Sequence, residues 1–166
     1  FDYTAQNRVG MRVMAQALEI RLRERMREDL GGTYGVGVTG GYEQIPEESY
    51  TVTVAFGSDP LRSEELRGVV FEELRKLQVE GPSQEDVDKV VEGERRARET
   101  NVRLNPYWAA QLIGAKASGQ DPRFLLDTTT IDAVTIESIQ EDARRYLNED
   151  RVVIVTLLPA EMIGRP

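Results

Sequence analysis

At 166 residues, 40% apolar and 30% charged, the chain is long enough for one domain with a real core and is ordinary in composition for a globular protein. Its net charge of −8 opposes nucleic-acid binding, which needs clustered positive charge to displace counterions. With no cysteine and no histidine, disulfides, thiolate chemistry and Ser-His-Asp or Cys-His catalysis are excluded, and the commonest zinc ligand is missing.

Residues from about 7 to 30 carry two apolar rows at helical spacing: Val9, Val13, Ala17 and Ile20, and Met11, Met14, Leu18 and Leu22. So wide a stripe predicts a long helix buried on much of its circumference. Asp29-Leu30-Gly31-Gly32 ends it, with glycine as the stop. Thr33 to Thr39 reads as a strand with Tyr34, Val36 and Val38 on one face. After a loop, Ser49 to Phe56 gives a second, β-branched and aromatic strand, and the short link predicts an antiparallel hairpin. Gly57-Ser58-Asp59-Pro60 is a turn and helix start, followed by a helix from Leu61 to Val79. Gly81-Pro82 breaks it, and Ser83 with Asp86 resembles a capping box opening a charged helix over about 84 to 103. In that helix Glu92 and Arg96, and Glu94 and Arg98, are spaced for i,i+4 ion pairs. Tyr107 to Ser118 is an apolar helix stopped by Gly119, Asp121-Pro122 starts a short helix, and Thr135 caps another through Leu147. Arg151 to Leu158, nearly all apolar, predicts a strand buried on both sides. Strands and helices do not alternate, so the expected class is α+β, one domain over 1–166, with an antiparallel-rich sheet and helices packed on one face. No run of about eighteen apolar residues is present, so no membrane span is expected. No signal peptide is visible, and the compartment stays open between periplasm and cytoplasm.

Gly35 to Gly40 spells G-x-G-x-x-G, but a helix precedes it and the glycines lie inside a strand. A dinucleotide site needs the reverse order. Glycines in such a strand more often mark close approach of another backbone, a packed helix or a peptide. The doublets Glu47-Glu48, Glu64-Glu65 and Glu72-Glu73 belong to no metal or catalytic motif and read as surface carboxylates. The cluster Arg21, Arg23, Arg25 and Arg27 is interleaved with Glu19, Glu24, Glu28 and Asp29, as on a solvated helix face. Arg27 in the last helical turn and Tyr34 at the strand start would meet across the glycine turn. Both can donate to a carbonyl oxygen. Arg27 capping its own helix and Tyr34 in the core is the competing arrangement.

Leu22-Arg-Glu-Arg-Met-Arg27-Glu-Asp-Leu-Gly-Gly-Thr-Tyr34 resembles the second domain of the pitrilysin/insulinase (M16) family of zinc metallopeptidases. That domain carries an arginine with a tyrosine seven residues on, the separation of Arg27 and Tyr34, although Met26 replaces the usual leucine. The likeness continues through Tyr50–Pro60, Glu80–Asp86, Asn105–Trp108 and Ile131–Leu147, and is nearest to a bacterial PqqL-like branch. The resemblance implies the metallopeptidase-like α+β fold, with a leading strand absent ahead of the first helix. It implies that the chain is the inactive, substrate-binding part of a longer protein, with no zinc and no catalytic residue of its own. Its partners would be an N-terminal domain of the same protein, holding zinc through H-x-x-E-H, and a peptide substrate contacted by Arg27 and Tyr34. A scaffold or processing-peptidase-like homologue without proteolysis is the alternative. An open sheet edge would also allow association of copies of the chain.

Overall fold

The first helix, α1, spans Ala5–Arg23 and continues as a π-helix over Glu24–Asp29. A Gly31-Gly32 turn leads into β1 (Thr33–Glu43), which pairs antiparallel with β2 (Ser49–Ser58). After a 3-10 turn at Pro60–Arg62 come α2 (Ser63–Glu80), α3 (Gln84–Asn101) and α4 (Asn105–Ala117). A 3-10 segment over Pro122–Leu126, the short α5 (Thr129–Asp132) and α6 (Ile136–Tyr146) complete the helices. The computed structural model describes residues 1–126 and 128–162, with the side chains of Glu28, Asp29, Tyr34, Phe124 and Leu126 outside that description.

Thr4 starts α1 by accepting a hydrogen bond from the Asn7 backbone at 3.1 Å. The helix is buried almost all round because β1 lies on one side of it while α2, α3 and α6 pack on the others. Met11, Met14, Leu18 and Leu22 are fully buried, each worth about 1.5–3 kcal/mol of transfer from water. On the sheet, Val36 and Val38 of β1 are buried, and Tyr50, Val52, Val54 and Phe56 of β2 are half-buried against the same core. The intervening β2 residues are exposed, so helices cover one face only, the expected α+β arrangement. Gly40 is where α1 comes closest: a Cβ there would lie 2.6 Å from Met11 Cγ and 3.1 Å from the Met11 carbonyl oxygen. The glycine-bearing strand thus receives a packed helix, and β1 has no helix leaving its glycines as a dinucleotide turn requires.

Local signals form as the sequence predicts. Ser83 and Asp86 make a reciprocal capping box, as do Thr135 and Ser138. Gly119, at φ +67°, follows α4. Glu73 is buried but satisfied, accepting from Arg21 Nε at 3.2 Å and Lys76 Nζ at 2.7 Å, while Arg21 also donates to the Gly81 carbonyl at 2.7 Å. That triad bolts α1 to α2. At the other end, Phe1 stacks on Tyr42 with centroids 5.6 Å apart and packs 5.6 Å from Tyr146, joining the hairpin to α6.

Two expectations are corrected. Arg151–Leu158 is not a buried strand. Glu149–Arg151 is a 3-10 turn, and residues 152–159 form no strand in the sheet, which consists of β1 and β2. Val153 is 89% and Leu157 94% exposed. A strand is completed by a partner's amides and carbonyls, and β-propensity cannot supply that partner. The Glu94–Arg98 pair also does not form. Glu94 accepts instead from Arg12 at 3.0 Å and Gln16 at 2.7 Å on α1, and Arg98 donates to the Leu125 carbonyl at 2.6 Å. The Glu92–Arg96 pair does form, at 2.6 Å.

Candidate functional site

The turn between α1 and β1 uses two glycines for two different reasons. Gly31 has φ +56°, a left-handed conformation that side chains resist. Gly32 has no room: a Cβ would lie 2.8 Å from Leu66 Cδ2. The Gly32 amide donates to the Met26 carbonyl at 2.9 Å, closing the wide π-helical end. This turn sets the helix end against the start of β1, and the two pack together.

Both residues singled out by sequence stand on irregular backbone. Arg27 lies in the π-helical turn Glu24–Asp29, a geometry that recurs at functional sites. Tyr34 is the extra residue of a β-bulge: Thr33 pairs with Ser58 and Gly35 with Gly57, leaving Tyr34 between them. Thr33 stitches the bulge, its hydroxyl donating to the Gly57 carbonyl at 2.6 Å and accepting from the Gly35 amide at 3.1 Å. The two backbones are therefore brought to one end of the sheet, while the Tyr34 side chain lies outside the described residues. Arg27 is exposed, directly after the fully buried Met26. Among the described residues nothing bonds its guanidinium, so it does not cap its own helix. Its neighbours differ: Arg21 is held by Glu73 and Arg23 by Glu19.

Among the described residues no three acidic side chains gather as metal ligands, and the chain contains no histidine or cysteine. That donor set does not suit zinc, which takes nitrogen and sulfur ligands. Sequence reasoning did not find the π-helical turn or the bulge; the double glycine signals a turn but not its irregular flanks. It also did not find the cluster where Arg12 donates to Glu94 and, at 3.2 Å, to the Tyr42 hydroxyl. Those residues come from three elements, and no short pattern links them.

Residues 2–94 match the Peptidase M16 inactive domain. A zinc protease PQQL-like protein of Arabidopsis thaliana is 32% identical over 105 residues, 60% of this chain and 11% of that protein. The periplasmic protease PqqL from Escherichia coli shares the fold at a TM-score of 0.72, with 20% identity over 87% of this chain and 16% of its own. The ferredoxin protease FusC, solved in complex with Arabidopsis ferredoxin, gives 0.70 and 25% over 85% of this chain and 16% of its own. The chain thus spans a small part of the length of these relatives. The matched span holds the whole assembly of α1, π-helical turn and hairpin on which Arg27 and Tyr34 stand, and the chain belongs to the inactive-domain family of the M16 peptidases, a non-catalytic domain type of zinc proteases.

Proposed function

We propose that this chain is the substrate-holding half of a zinc-dependent endopeptidase. Zinc and the water-activating glutamate would reside in an N-terminal domain of the same, longer protein. Arg27 and Tyr34 would hydrogen-bond the backbone of a bound polypeptide near the scissile bond. The observation that carries the reading is the exposed Arg27 guanidinium, unbonded among the described residues, in a π-helical turn packed against the strand start that bears Tyr34. A guanidinium offers five donors in a fixed fork and a phenol one. Donors aimed at a carbonyl oxygen that gains negative charge stabilise the transition state more than the ground state. The complex of FusC with ferredoxin supports a polypeptide as the substrate class.

The test is made in the full-length parent. Arg27→Ala or Tyr34→Phe should lower kcat by about a hundred- to a thousandfold, as for loss of one oxyanion donor, with zinc content unchanged. Wild-type turnover in both variants refutes the assignment. The isolated chain should show no peptidase activity with or without added zinc, and zinc-dependent cleavage by it would overturn the division of labour.

A further inference from the structure

Away from the Arg27 end, a cleft of about 620 Å³ opens between α1, α3 and α4. The volume lies within the range of small-molecule sites, about 300–1,000 Å³. Among the described residues its lining holds three guanidiniums, Arg8, Arg12 and Arg98, and one carboxylate, Glu94. This is a positive pocket in a chain of net charge −8.

The lone carboxylate is already engaged. Glu94 takes Arg12 Nη2 on one oxygen and Gln16 Nε2 on the other. Arg98 donates once, to the Leu125 carbonyl, and no carboxylate among the described residues bonds it. Most of its five N–H groups therefore bond nothing among the described residues. Arg8 lies 4.6 Å over the Tyr3 ring and donates to Gln120 at 3.0 Å, so its position is set from two sides. Tyr42, fixed by Arg12, and Tyr107 of α4 add aromatic walls. The α4 wall is loosely seated: Ala115 is its only buried residue, and Ile113 is 70% exposed. A guanidinium with spare donors, such as that of Arg98, beside aromatic faces suits a flat body carrying a carboxylate or phosphate.

We infer that this cleft binds a small organic anion, with Arg98 as the main anion contact and Tyr107 stacking on the body. The site is separate from the Arg27 end and does not depend on the peptidase reading. The test is calorimetry and thermal unfolding of the chain with three probes at constant ionic strength: N-acetyltyrosine, N-acetyltyrosine amide and inorganic pyrophosphate. Saturable binding of N-acetyltyrosine, with its neutral amide at least about tenfold weaker, identifies a carboxylate ligand. Saturable binding of pyrophosphate alone identifies a phosphate ligand. Arg98→Gln should weaken the binding anion about tenfold or more, and Tyr107→Leu should weaken N-acetyltyrosine but not pyrophosphate. Arg98→Lys, which keeps the charge and loses the fork, should fall between wild type and Arg98→Gln. The inference is overturned if neither anion saturates below about 10 mM, where a specific site gains at least some 3 kcal/mol. It is also overturned if folded Arg98→Gln binds as tightly as wild type.

Discussion

Asp142 on α6 and Gly10 on α1 mark a helix crossing whose stability should depend on pH. A Cβ on Gly10 would collide with Asp142 Oδ2, so glycine is what admits the carboxyl to the crossing. Burial pushes the Asp142 carboxyl up to about 6 from 3.8, against the pull of Arg145 and with a small push from Glu141. The folded state therefore disfavours the ionised form. Below 3.8 both states are protonated and there is no penalty; it grows between 3.8 and about 6 and is complete above that. Two pKa units correspond to about 3 kcal/mol, which solvent screening of a half-buried group reduces to about 1 kcal/mol. Asp142→Asn keeps the shape and removes the charge. Urea unfolding at pH 7.5 should show it about 1 kcal/mol more stable than wild type, and the gain should vanish near pH 4. Glu141→Gln removes the same charge from an exposed neighbour and should leave nearly all of that pH dependence in place. An Asp142→Asn chain no more stable than wild type at pH 7.5, or equally stabilised at both pH values, refutes the reasoning.

Gly40→Ala should cost about 1–3 kcal/mol by pushing on Met11, while Gly37→Ala, with open space at its Cβ, should be near neutral; chemical unfolding of the two side by side checks this. In the isolated domain Arg27→Ala should leave the unfolding midpoint unchanged, because the side chain is exposed and unbonded. A lowered midpoint would assign Arg27 to structure. No charge stands within Ser49–Ser58 to guard the β2 edge, although on β1 the Val38 amide donates to the Glu19 carboxylate at 3.1 Å, and Val152–Leu158 is bare, so concentrated protein should self-associate. Light scattering should show this, with Val155→Lys reverting it; a strict monomer at high concentration counts against it.

What sequence made legible was what neighbouring residues decide. The two apolar rows of α1, the Ser83 and Thr135 caps and the β-branched and aromatic run of β2 are each set within a few residues, and the structure keeps them. The failures lie where a distant group decides. Arg151–Leu158 has a strand's composition but, among the described residues, no strand beside it. Glu94 has an arginine four residues on, yet a guanidinium from α1 takes its oxygen. Arg27 and Tyr34 are singled out by family likeness, whereas spacing alone favours a helix cap and a core tyrosine. The structure adds that each sits on an irregularity, a π-helical turn and a bulge, which hydrophobic pattern does not encode.

The π-helical turn also separates two properties that a regular helix would tie together. Such a turn holds one residue more than the α-helical turn it replaces. Excising one residue between Glu24 and Met26 would let the helix revert to α geometry without moving the upstream rows of Met11, Met14, Leu18 and Leu22. Because the π turn absorbs that one extra residue, its removal would leave Met26 and Arg27 facing nearly as they do now, Met26 into the core and Arg27 into solvent. At this point of the chain a one-residue deletion should be tolerated, whereas in the regular helix upstream it would turn every later residue by about 100° and pull the buried rows out of register.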